Sequence, residues 1–195
     1  MAEERYALAE LMRPGQEAPA AGGIGVTLSE RRPGAVIEIA TWTDAAPELA
    51  AAIAIAELPA PGRVAAAPGR LVASLAPGRW LVLGQEAGLV GRMEAVLPAE
   101  RGAVTDITHA RAGLRLSGAA AQPLLQKGLS FDLDPSAFAP MSIAQSGIHH
   151  MGVTMLRLDQ ATFDLFVMSS LAVSLWDWVR EAATEFGWRI GPPQD

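Results

Sequence analysis

The sequence lacks cysteine altogether and has a single lysine. Without Cys in 195 residues, a disulfide framework, a thiolate nucleophile, a cysteine-ligated zinc site and an iron–sulfur cluster are all excluded. Lys127 is the only lysine, and Gly128 follows it where a phosphate-binding P-loop needs Ser or Thr. Several common catalytic and cofactor-binding chemistries are therefore excluded from the start.

Charge is also scarce in this sequence. Charged residues make up 18% of the chain, below the roughly 25% of an average soluble domain. The net charge of −6 argues against nucleic-acid binding, which needs a basic surface. The hydrophobic fraction of 50% excludes disorder and indicates apolar surface that a partner would cover.

The sequence contains no run of about 18 uncharged apolar residues, the length that a membrane span requires. The first residues, Met1 to Arg5, are acidic, and no apolar stretch typical of a secretory signal follows them. We therefore expect a cytoplasmic protein with no membrane and no nucleic-acid partner.

The length is that of one domain. Residues 14–25 are rich in Pro, Gly and Ala, so residues 1–25 are predicted to be an N-terminal arm and linker outside the core. Residues 26–190 are predicted to be a single α+β domain, and residues 191–195 a tail.

Patterns over residues 35–107 predict a β-α-β-β-α-β order, the ferredoxin-like unit. Thr43 or Asp44 is expected to cap the first helix, which ends before Pro59. The predicted elements are strands at 35–41, 71–75, 80–83 and 104–107, with helices between 44 and 58 and at about 86–97.

A similar order is predicted after residue 107. The fold class is therefore α+β, with two ferredoxin-like halves of about 26–107 and 108–190 packed together. This duplication depends on element order alone, because the halves share no recognisable sequence identity. The predicted elements of the second half are strands at 113–116, 143–151, 153–158, 162–167 and 188–190, with helices at about 117–127 and 169–186.

Helix ends in the second half have recognisable signals. Ser117 is expected to cap the short helix, and Gly128 to follow it as a C-terminal glycine. Ser169 or Ser170 is expected to cap the last helix, which Gly187 closes.

A search for site chemistry finds no catalytic, cofactor-binding or metal-binding residue. The Gly-Gly-Ile-Gly string at 22–25 lacks the third glycine of a dinucleotide fingerprint and is more typical of a linker. His149 and His150 are adjacent in a predicted strand, so they point to opposite faces and cannot easily share a metal ion. Asp132 and Asp134 are interpreted as turn and capping residues rather than a general acid–base pair.

Two tryptophans of the last predicted helix face different ways. Trp176 and Trp178 lie two residues apart, about 200° around a helix axis. One is expected to reach the core, and the other to be exposed or covered by a partner. For this second tryptophan, contact with a partner and packing within the chain are equally expected, because Trp is enriched at interface hot spots.

Residues 104–187, a little under half the chain, resemble a known family. Residues 104–128 read VTDITHARAGLRLSGAAAQPLLQKG, followed by LSFDLDPSAF at 129–138 and AQ at 144–145. The pattern ends in TFDLFVMSS at 162–170, LWDW at 175–178 and EFG at 185–187. These strings resemble the aminomethyltransferase (glycine-cleavage T-protein) superfamily and are most similar to the gamma subunit of heterotetrameric sarcosine oxidase.

The resemblance implies a folate-binding-domain-like T-protein fold for residues 26–190 and a non-catalytic role in assembly and stabilisation. The complex of this family oxidatively demethylates sarcosine to glycine, with oxygen as the electron acceptor. FAD, FMN, NAD and tetrahydrofolate are expected on the partner alpha and beta subunits, which a small delta subunit accompanies. No cofactor is expected on this chain.

The same resemblance gives the candidate residues for subunit contact. His109, Arg111 and Arg115 are the polar candidates, because the guanidinium fork of arginine suits such contacts. Trp176 is the apolar candidate. Asp106 matches the aspartate of the shared block but is interpreted as a turn-fixing residue rather than a catalytic one.

Two alternatives remain open. The first is a stand-alone T-protein-like protein that binds folate or transfers a one-carbon unit. The second is a structural homodimer without a small ligand.

Overall fold

The computed structural model describes residues 6–195, which fold as two compact units. We call residues 33–108 with 141–144 the five-stranded unit. The described residues up to 32, residues 109–140 and residues 145–195 form the seven-stranded unit. Each unit has its own sheet and its own helices.

Twelve strands and four α-helices follow one another along the described chain. Short 3₁₀ turns lie at Thr108–Ala110, Ser169–Leu171 and Thr184–Phe186. The strands are β1 (Glu17–Ala18), β2 (Val26–Arg31), β3 (Ala35–Thr41), β4 (Val64–Ala67), β5 (Arg70–Ala76), β6 (Arg79–Gly84), β7 (Gly102–Asp106), β8 (Arg111–Ser117), β9 (Ser142–Ile148), β10 (Met151–Arg157), β11 (Thr162–Met168) and β12 (Trp188–Ile190). The helices are α1 (Ala46–Ile53), α2 (Leu89–Val96), α3 (Ala121–Gln126) and α4 (Ala172–Ala183).

The five-stranded unit contains the predicted β-α-β-β-α-β elements in order, with one further strand, β4, after the first helix. Its antiparallel sheet has the order β4-β5-β6-β3-β7, and the predicted strands and helices are all present. The edge strand β4 was not predicted, because its Val-Ala-Ala-Ala sequence has little β-propensity. Burial of each large aliphatic side chain contributes about 1.5–3 kcal/mol. The core of this unit contains Ile37, Ile39, Leu49, Ile53, Val72, Trp80, Val82, Leu89, Met93 and Leu97.

Helix α1 begins later than predicted. Ala45 occupies the N-cap position without a side-chain hydrogen bond. The Asp44 carboxylate only reaches the Ala46 N–H at 3.4 Å, so neither Thr43 nor Asp44 caps the helix. The helix ends at Ala54, whose left-handed backbone turns the chain before Pro59.

The seven-stranded unit departs from a simple ferredoxin-like order. Its strand order is β1-β12-β2-β8-β11-β10-β9. Strand β2 lies between β12, to which it is parallel, and β8, to which it is antiparallel. Residues 26–31 therefore belong to this sheet, although they were expected in the first half. The reason is that β2 is buried at five of its six positions and needs hydrogen-bonding neighbours on both edges.

The N-terminal segment packs on this unit instead of forming a separate arm. Leu8 and Met12 are 1% and 4% exposed, and the Leu8 N–H donates to Glu30 Oε1 at 2.9 Å. Strand β1 pairs with β12. The apolar stripe of this segment gains stability only when it is buried, and this outweighs the flexible composition of the linker that follows. Residues 1–5, also assigned to the arm, lie outside the described residues.

The three predicted serine caps have other positions or partners. Ala120 and Leu171 occupy the N-cap positions of α3 and α4, and neither makes a side-chain cap. The Ser169 hydroxyl donates to the His109 carbonyl at 2.7 Å instead. The predicted strand at 143–151 is broken by a turn at His149–His150, where both residues are exposed and His149 has φ 52°.

Two glycines near helix ends allow close approaches. Gly187 has φ 68°, and a Cβ there would lie 1.9 Å from the Gly23 carbonyl; the prediction that it closes the last helical segment is confirmed. Gly128 does not have the left-handed backbone of a C-terminal glycine. A Cβ on Gly128 would lie 2.4 Å from Cζ2 of Trp178, so this glycine leaves space for the indole ring.

Within residues 6–195, no helix is both long enough and apolar enough to cross a membrane.

Candidate subunit-contact site

One face of the seven-stranded sheet carries arginine side chains from neighbouring strands. Strand β8 pairs with β11 and with β2, and side chains at opposed positions share a face of the sheet. The pairs place Arg115 opposite Asp164 and Arg111 opposite Met168, with Arg31 opposite Gly113 between them. We call this the basic face, defined by Arg31, Arg111, Arg115, Asp164 and Met168.

A buried ion cluster anchors the basic face. The Asp164 side chain is fully buried, and it accepts hydrogen bonds from Arg115 Nε at 2.6 Å, from Arg115 Nη2 at 2.8 Å and from Arg31 Nε at 3.0 Å. Burial lowers the pKa of Arg31, whereas the hydrogen bonds to Asp164 raise the pKa of Arg115. Both guanidinium groups stay charged at neutral pH, so two positive charges share one carboxylate.

The absence of a side chain at Gly113 makes room for this cluster. A Cβ on Gly113 would lie 2.8 Å from the Arg31 Cβ and 2.8 Å from Cε1 of Phe166. Arg31 can therefore cross the face of β8 to reach Asp164 on β11.

Arg111 and His109 lie at the outer end of the same face. Arg111 is half-buried, and among residues 6–195 its guanidinium has no ion pair or side-chain hydrogen bond. Its strand partner Met168 is 56% exposed, and Val173, five residues further along the chain, is 53% exposed. His109 is exposed, and its carbonyl is held by Ser169. Within residues 6–195, this end thus presents an unpaired cation opposite the exposed side chain of Met168.

The four sequence-derived candidates therefore separate into two groups. His109 and Arg111 are accessible. Arg115 is committed to Asp164 and is 19% exposed at its side chain. Trp176 is 4% exposed and packs edge-to-face on Trp188 with ring centroids 6.2 Å apart, so a partner would touch little of it.

The other helix tryptophan is half-buried and packs within the same unit. Trp178 lies against Gly128, and its ring is 6.2 Å from that of His149. Trp176 and Trp178 point in different directions, as predicted. Trp176 reaches the core, whereas Trp178 covers the end of α3 and the β9–β10 turn.

Sequence reasoning missed Met168, Val173 and the acceptor Asp164. Asp164 interrupts an apolar strand, and a lone carboxylate in a buried strand needs a paired cation. This pattern in the sequence indicates a buried ion pair at Asp164. Met168 continues the apolar run of β11, so its sequence neighbours predict burial. Only the pairing of β11 with the end of β8 places it at an exposed position.

Arg157 is a second buried cation, and it organises a loop. Its side chain is fully buried, and within residues 6–195 it bonds to no carboxylate. Its donors reach the carbonyls of Leu133 at 2.7 Å and Phe138 at 2.9 Å. The remaining acceptors are the Asp159 and Gln160 carbonyls and Oε1 of Gln122. The loop at 129–140 is thereby tied to strand β10, which indicates a structural role.

Two surface depressions bear on folate binding, which the T-protein resemblance implies. One depression of about 280 Å³ lies beside Gly25, Ser117 and Arg189 in the seven-stranded unit. Small-molecule sites enclose about 300–1,000 Å³ and bury most of their ligand, so this depression lies at the lower limit of that range. Another of about 480 Å³ beside Trp42 leaves that residue 61% exposed. Both depressions are open to solvent, and no cluster of potential metal ligands occurs in the described part of the chain.

Comparisons with known proteins agree with the fold and with the sequence resemblance. The family model described as "Sarcosine oxidase, gamma subunit family" matches residues 42–185. Sarcosine oxidase subunit gamma of an Arthrobacter species is 32% identical over 127 residues, which cover 64% of this chain and 63% of that relative. The same subunit of Corynebacterium sp. strain U-96 is 28% identical over 140 residues, covering 71% of this chain and 68% of the relative.

Solved structures give the same result. A chain of the heterotetrameric sarcosine oxidase from Corynebacterium sp. U-96, in complex with pyrrole 2-carboxylate, superposes with a TM-score of 0.83 at 25% identity. The match covers 94% of this chain and 96% of that chain. Aminomethyltransferase T of the glycine cleavage system from Bartonella henselae shares the fold, with a TM-score of 0.61 at 14% identity over 86% of this chain and 48% of its own. The predicted T-protein-like α+β fold is thus confirmed, and the family match extends over more than half of the chain. The chain belongs to the sarcosine oxidase gamma subunit family.

Proposed function

We propose that this chain is a non-catalytic gamma-type subunit of a heterotetrameric sarcosine oxidase and that it acts in assembly and stabilisation of the complex. The complex would oxidatively demethylate sarcosine to glycine, with tetrahydrofolate as the one-carbon acceptor. The observation that carries the proposal is the outer end of the basic face, where Arg111, which has no ion pair within residues 6–195, lies opposite the exposed Met168 in a chain of this family.

The partners would be alpha and beta subunits and a small delta subunit in the cytoplasm. FAD, FMN, NAD and tetrahydrofolate would be bound by those partners. Two features of this chain support that division: both described depressions are open to solvent, and Arg31, Arg115 and Arg157 are held by hydrogen bonds to groups of their own unit. Their roles are structural.

The basic face gives the expected chemistry of the contact. Met168 and Val173 supply apolar area that becomes buried on association, and the central part of an interface is its most apolar part. Arg111 would pair with a carboxylate of the partner, because an arginine fork matches carboxylate geometry. The paired charges would contribute to the choice and orientation of the partner.

The proposal is tested by co-expressing the larger subunits with and without this chain. We expect the purified assembly to contain the chain in fixed stoichiometry, and the assembly made without it to be less stable or less active on sarcosine. An assembly that forms and turns over sarcosine equally well without the chain contradicts the subunit role.

Two solution measurements separate the alternatives. Calorimetry of the isolated chain with tetrahydrofolate should show no binding of micromolar affinity. Binding with a free energy of about −8 kcal/mol, which corresponds to micromolar affinity, would favour a stand-alone folate protein instead. Sedimentation of the isolated chain identifies a structural homodimer, and that interpretation gains support only if the larger subunits are not recruited.

A further inference from the structure

The five-stranded unit holds an exposed tryptophan beside a surface depression. Trp42 follows directly after β3 and is 61% exposed, the largest value among the exposed large hydrophobic residues in the described chain. The depression, of about 480 Å³, lies between the β5–β6 turn at Pro77–Gly78 and the start of α1, with Trp80 among its lining residues. An aromatic side chain of this size that stays exposed is a candidate contact residue.

Trp42 is fixed in position by its own unit. The indole Nε1 donates to the Glu100 carbonyl at 2.7 Å, and the backbone N–H of Trp42 donates to the Arg101 carbonyl at 3.1 Å. The next residue, Thr43, also donates to the Arg101 carbonyl, at 3.3 Å. Because both donors of Trp42 are already satisfied, its accessible part is mainly the ring. A ring held in place loses little conformational entropy when a partner covers it.

Two exposed acidic residues adjoin Trp42: Asp44 lines the depression, and Glu100 accepts the indole N–H at its carbonyl. Arg101 is the nearby cation, and it is already engaged by the Asp44 carbonyl at 2.6 Å and by Glu48 Oε1 at 3.1 Å. The exposed carboxylates of Asp44 and Glu100 make no ion pair within residues 6–195. An indole face beside uncompensated carboxylates attracts a cation that can stack on the ring.

We infer that the Trp42 surface, formed by Trp42, Asp44, Pro77 and Glu100, docks an arginine-bearing apolar segment of a larger subunit of the oxidase complex. This inference depends on the proposed function, which supplies the partner. Arginine suits the surface because its planar guanidinium can lie on the indole while it donates to the Asp44 carboxylate. A small cationic ligand fits less well, since ligand sites bury about 70–90% of the ligand and this depression leaves its aromatic wall open.

The test uses the co-expressed complex and measures its dissociation by mass photometry over a dilution series. Trp42→Ala should raise the dissociation constant at least about tenfold, as expected for an aromatic hot spot. Asp44→Asn should weaken binding less and should reduce its dependence on salt, because one screened ion pair is lost. Trp42→Phe keeps an aromatic face and should fall between Trp42→Ala and wild type. Leu11→Ala is the matched control, since Leu11 is exposed to 38% in the other unit.

The outcomes distinguish this inference from the proposed function. A wild-type complex that forms, together with Trp42→Ala and Asp44→Asn complexes that dissociate like wild type, overturns the inference and leaves the proposed function intact. No wild-type complex at all refutes the proposed function. A homodimer of the isolated chain that Trp42→Ala dissociates would show that the occupant is a second copy, which also overturns the inference. Asp44→Asn keeps the Glu100 bond of Trp42, so the test holds even if Trp42→Ala lowers the melting temperature.

Discussion

At the residue scale, the seven-stranded unit depends on one carboxylate. Asp164 is fully buried, and it compensates both Arg31 and Arg115. A buried ion pair adds little net stability relative to an apolar core, but removal of one partner leaves an uncompensated charge. The basic face is thus held in place by a residue that a partner need never touch.

Replacing Asp164 should therefore destabilise the chain severely. Asp164→Asn removes the negative charge and leaves two guanidinium groups facing an amide. We expect a loss of about 3–5 kcal/mol in the free energy of unfolding, measured by urea denaturation. The control is Asp177→Asn, which removes an exposed carboxylate 3.9 Å from Arg180 and should change stability little. Similar midpoints for the two variants would show that the cluster is not strongly coupled.

A second residue-scale prediction concerns pH. The Ser136 hydroxyl and backbone N–H donate to Asp134 and hold the pKa of Asp134 below its ordinary value of 3.8. Ser136→Ala should raise this pKa toward 3.8, which NMR titration of the Asp134 carboxyl carbon measures. A depressed carboxyl pKa contributes stability above the unfolded-state pKa, and that contribution is lost as the pH falls through the folded-state pKa.

The stability difference between wild type and Ser136→Ala should therefore be present at neutral pH and disappear in acid, below pH 3.8. Ser170→Ala, which removes an exposed hydroxyl, is the control. An Asp134 pKa that does not move in Ser136→Ala would exclude the hydroxyl as its cause.

At the element scale, helices α3 and α4 meet where a glycine follows α3. The ring of Trp178 on α4 occupies the position that a side chain on residue 128 would need. The buried stripe of α4 includes Leu175, Trp176 and Val179, so the helix cannot easily rotate to move Trp178 away. The packing of these two helices thus depends on the absence of one methyl group.

Gly128→Ala should lower the free energy of unfolding by about 1–3 kcal/mol through overpacking. Gly91→Ala is the matched control, because Gly91 lies inside α2 and a Cβ there meets nothing within 4 Å. That variant should stabilise the chain by about 0.5–1 kcal/mol through helix propensity. Equal thermal shifts for the two variants would contradict the close approach.

The loop at 129–140 gives another element-scale prediction. Arg157→Lys keeps the charge but has a single ammonium group, which cannot reach all the acceptors that the guanidinium fork contacts. We expect faster hydrogen exchange and earlier proteolysis at 129–140. Arg180→Lys changes an exposed arginine and should leave that loop protected. A loop that stays protected in Arg157→Lys would show that Phe138 and Leu133 hold it by packing alone.

At the scale of the whole molecule, the outer end of the basic face is offered as the contact with the larger subunits. Arg111→Glu should weaken the co-expressed complex through like-charge repulsion with the partner, and Met168→Ala should weaken it through lost apolar area. We expect each variant to raise the dissociation constant of the complex about tenfold and to leave the stability of the isolated chain unchanged. Arg13→Glu, a charge reversal at another exposed position, is the control. If Arg111→Glu and Met168→Ala both assemble like wild type, the contact lies elsewhere.

The sequence predicts local structure well where the signal is periodic. The strand at 35–41 is found at its predicted bounds, and the other elements of the five-stranded unit lie close to theirs. Sequence-based prediction fails for side chains whose hydrogen-bond or ion-pair partner is distant along the chain. Ser169 has the composition of a helix cap, but its hydroxyl bonds to the carbonyl of His109, 60 positions earlier. Likewise, no local pattern shows that Arg115 is already paired.

The sequence by itself thus determined the α+β class, most of the element order and the family, because hydrophobic periodicity, turn residues and motif strings are encoded locally. Its lack of cysteine also excluded thiolate chemistry. Only the tertiary structure decided that β2 joins the second sheet and that Trp176 is more deeply buried than Trp178. It also decided that Arg115 pairs with Asp164, whereas Arg111 has no ion pair within residues 6–195. These outcomes depend on contacts such as Arg31 with Asp164, 133 positions apart, and such contacts exist only after strands from both ends of the chain have paired.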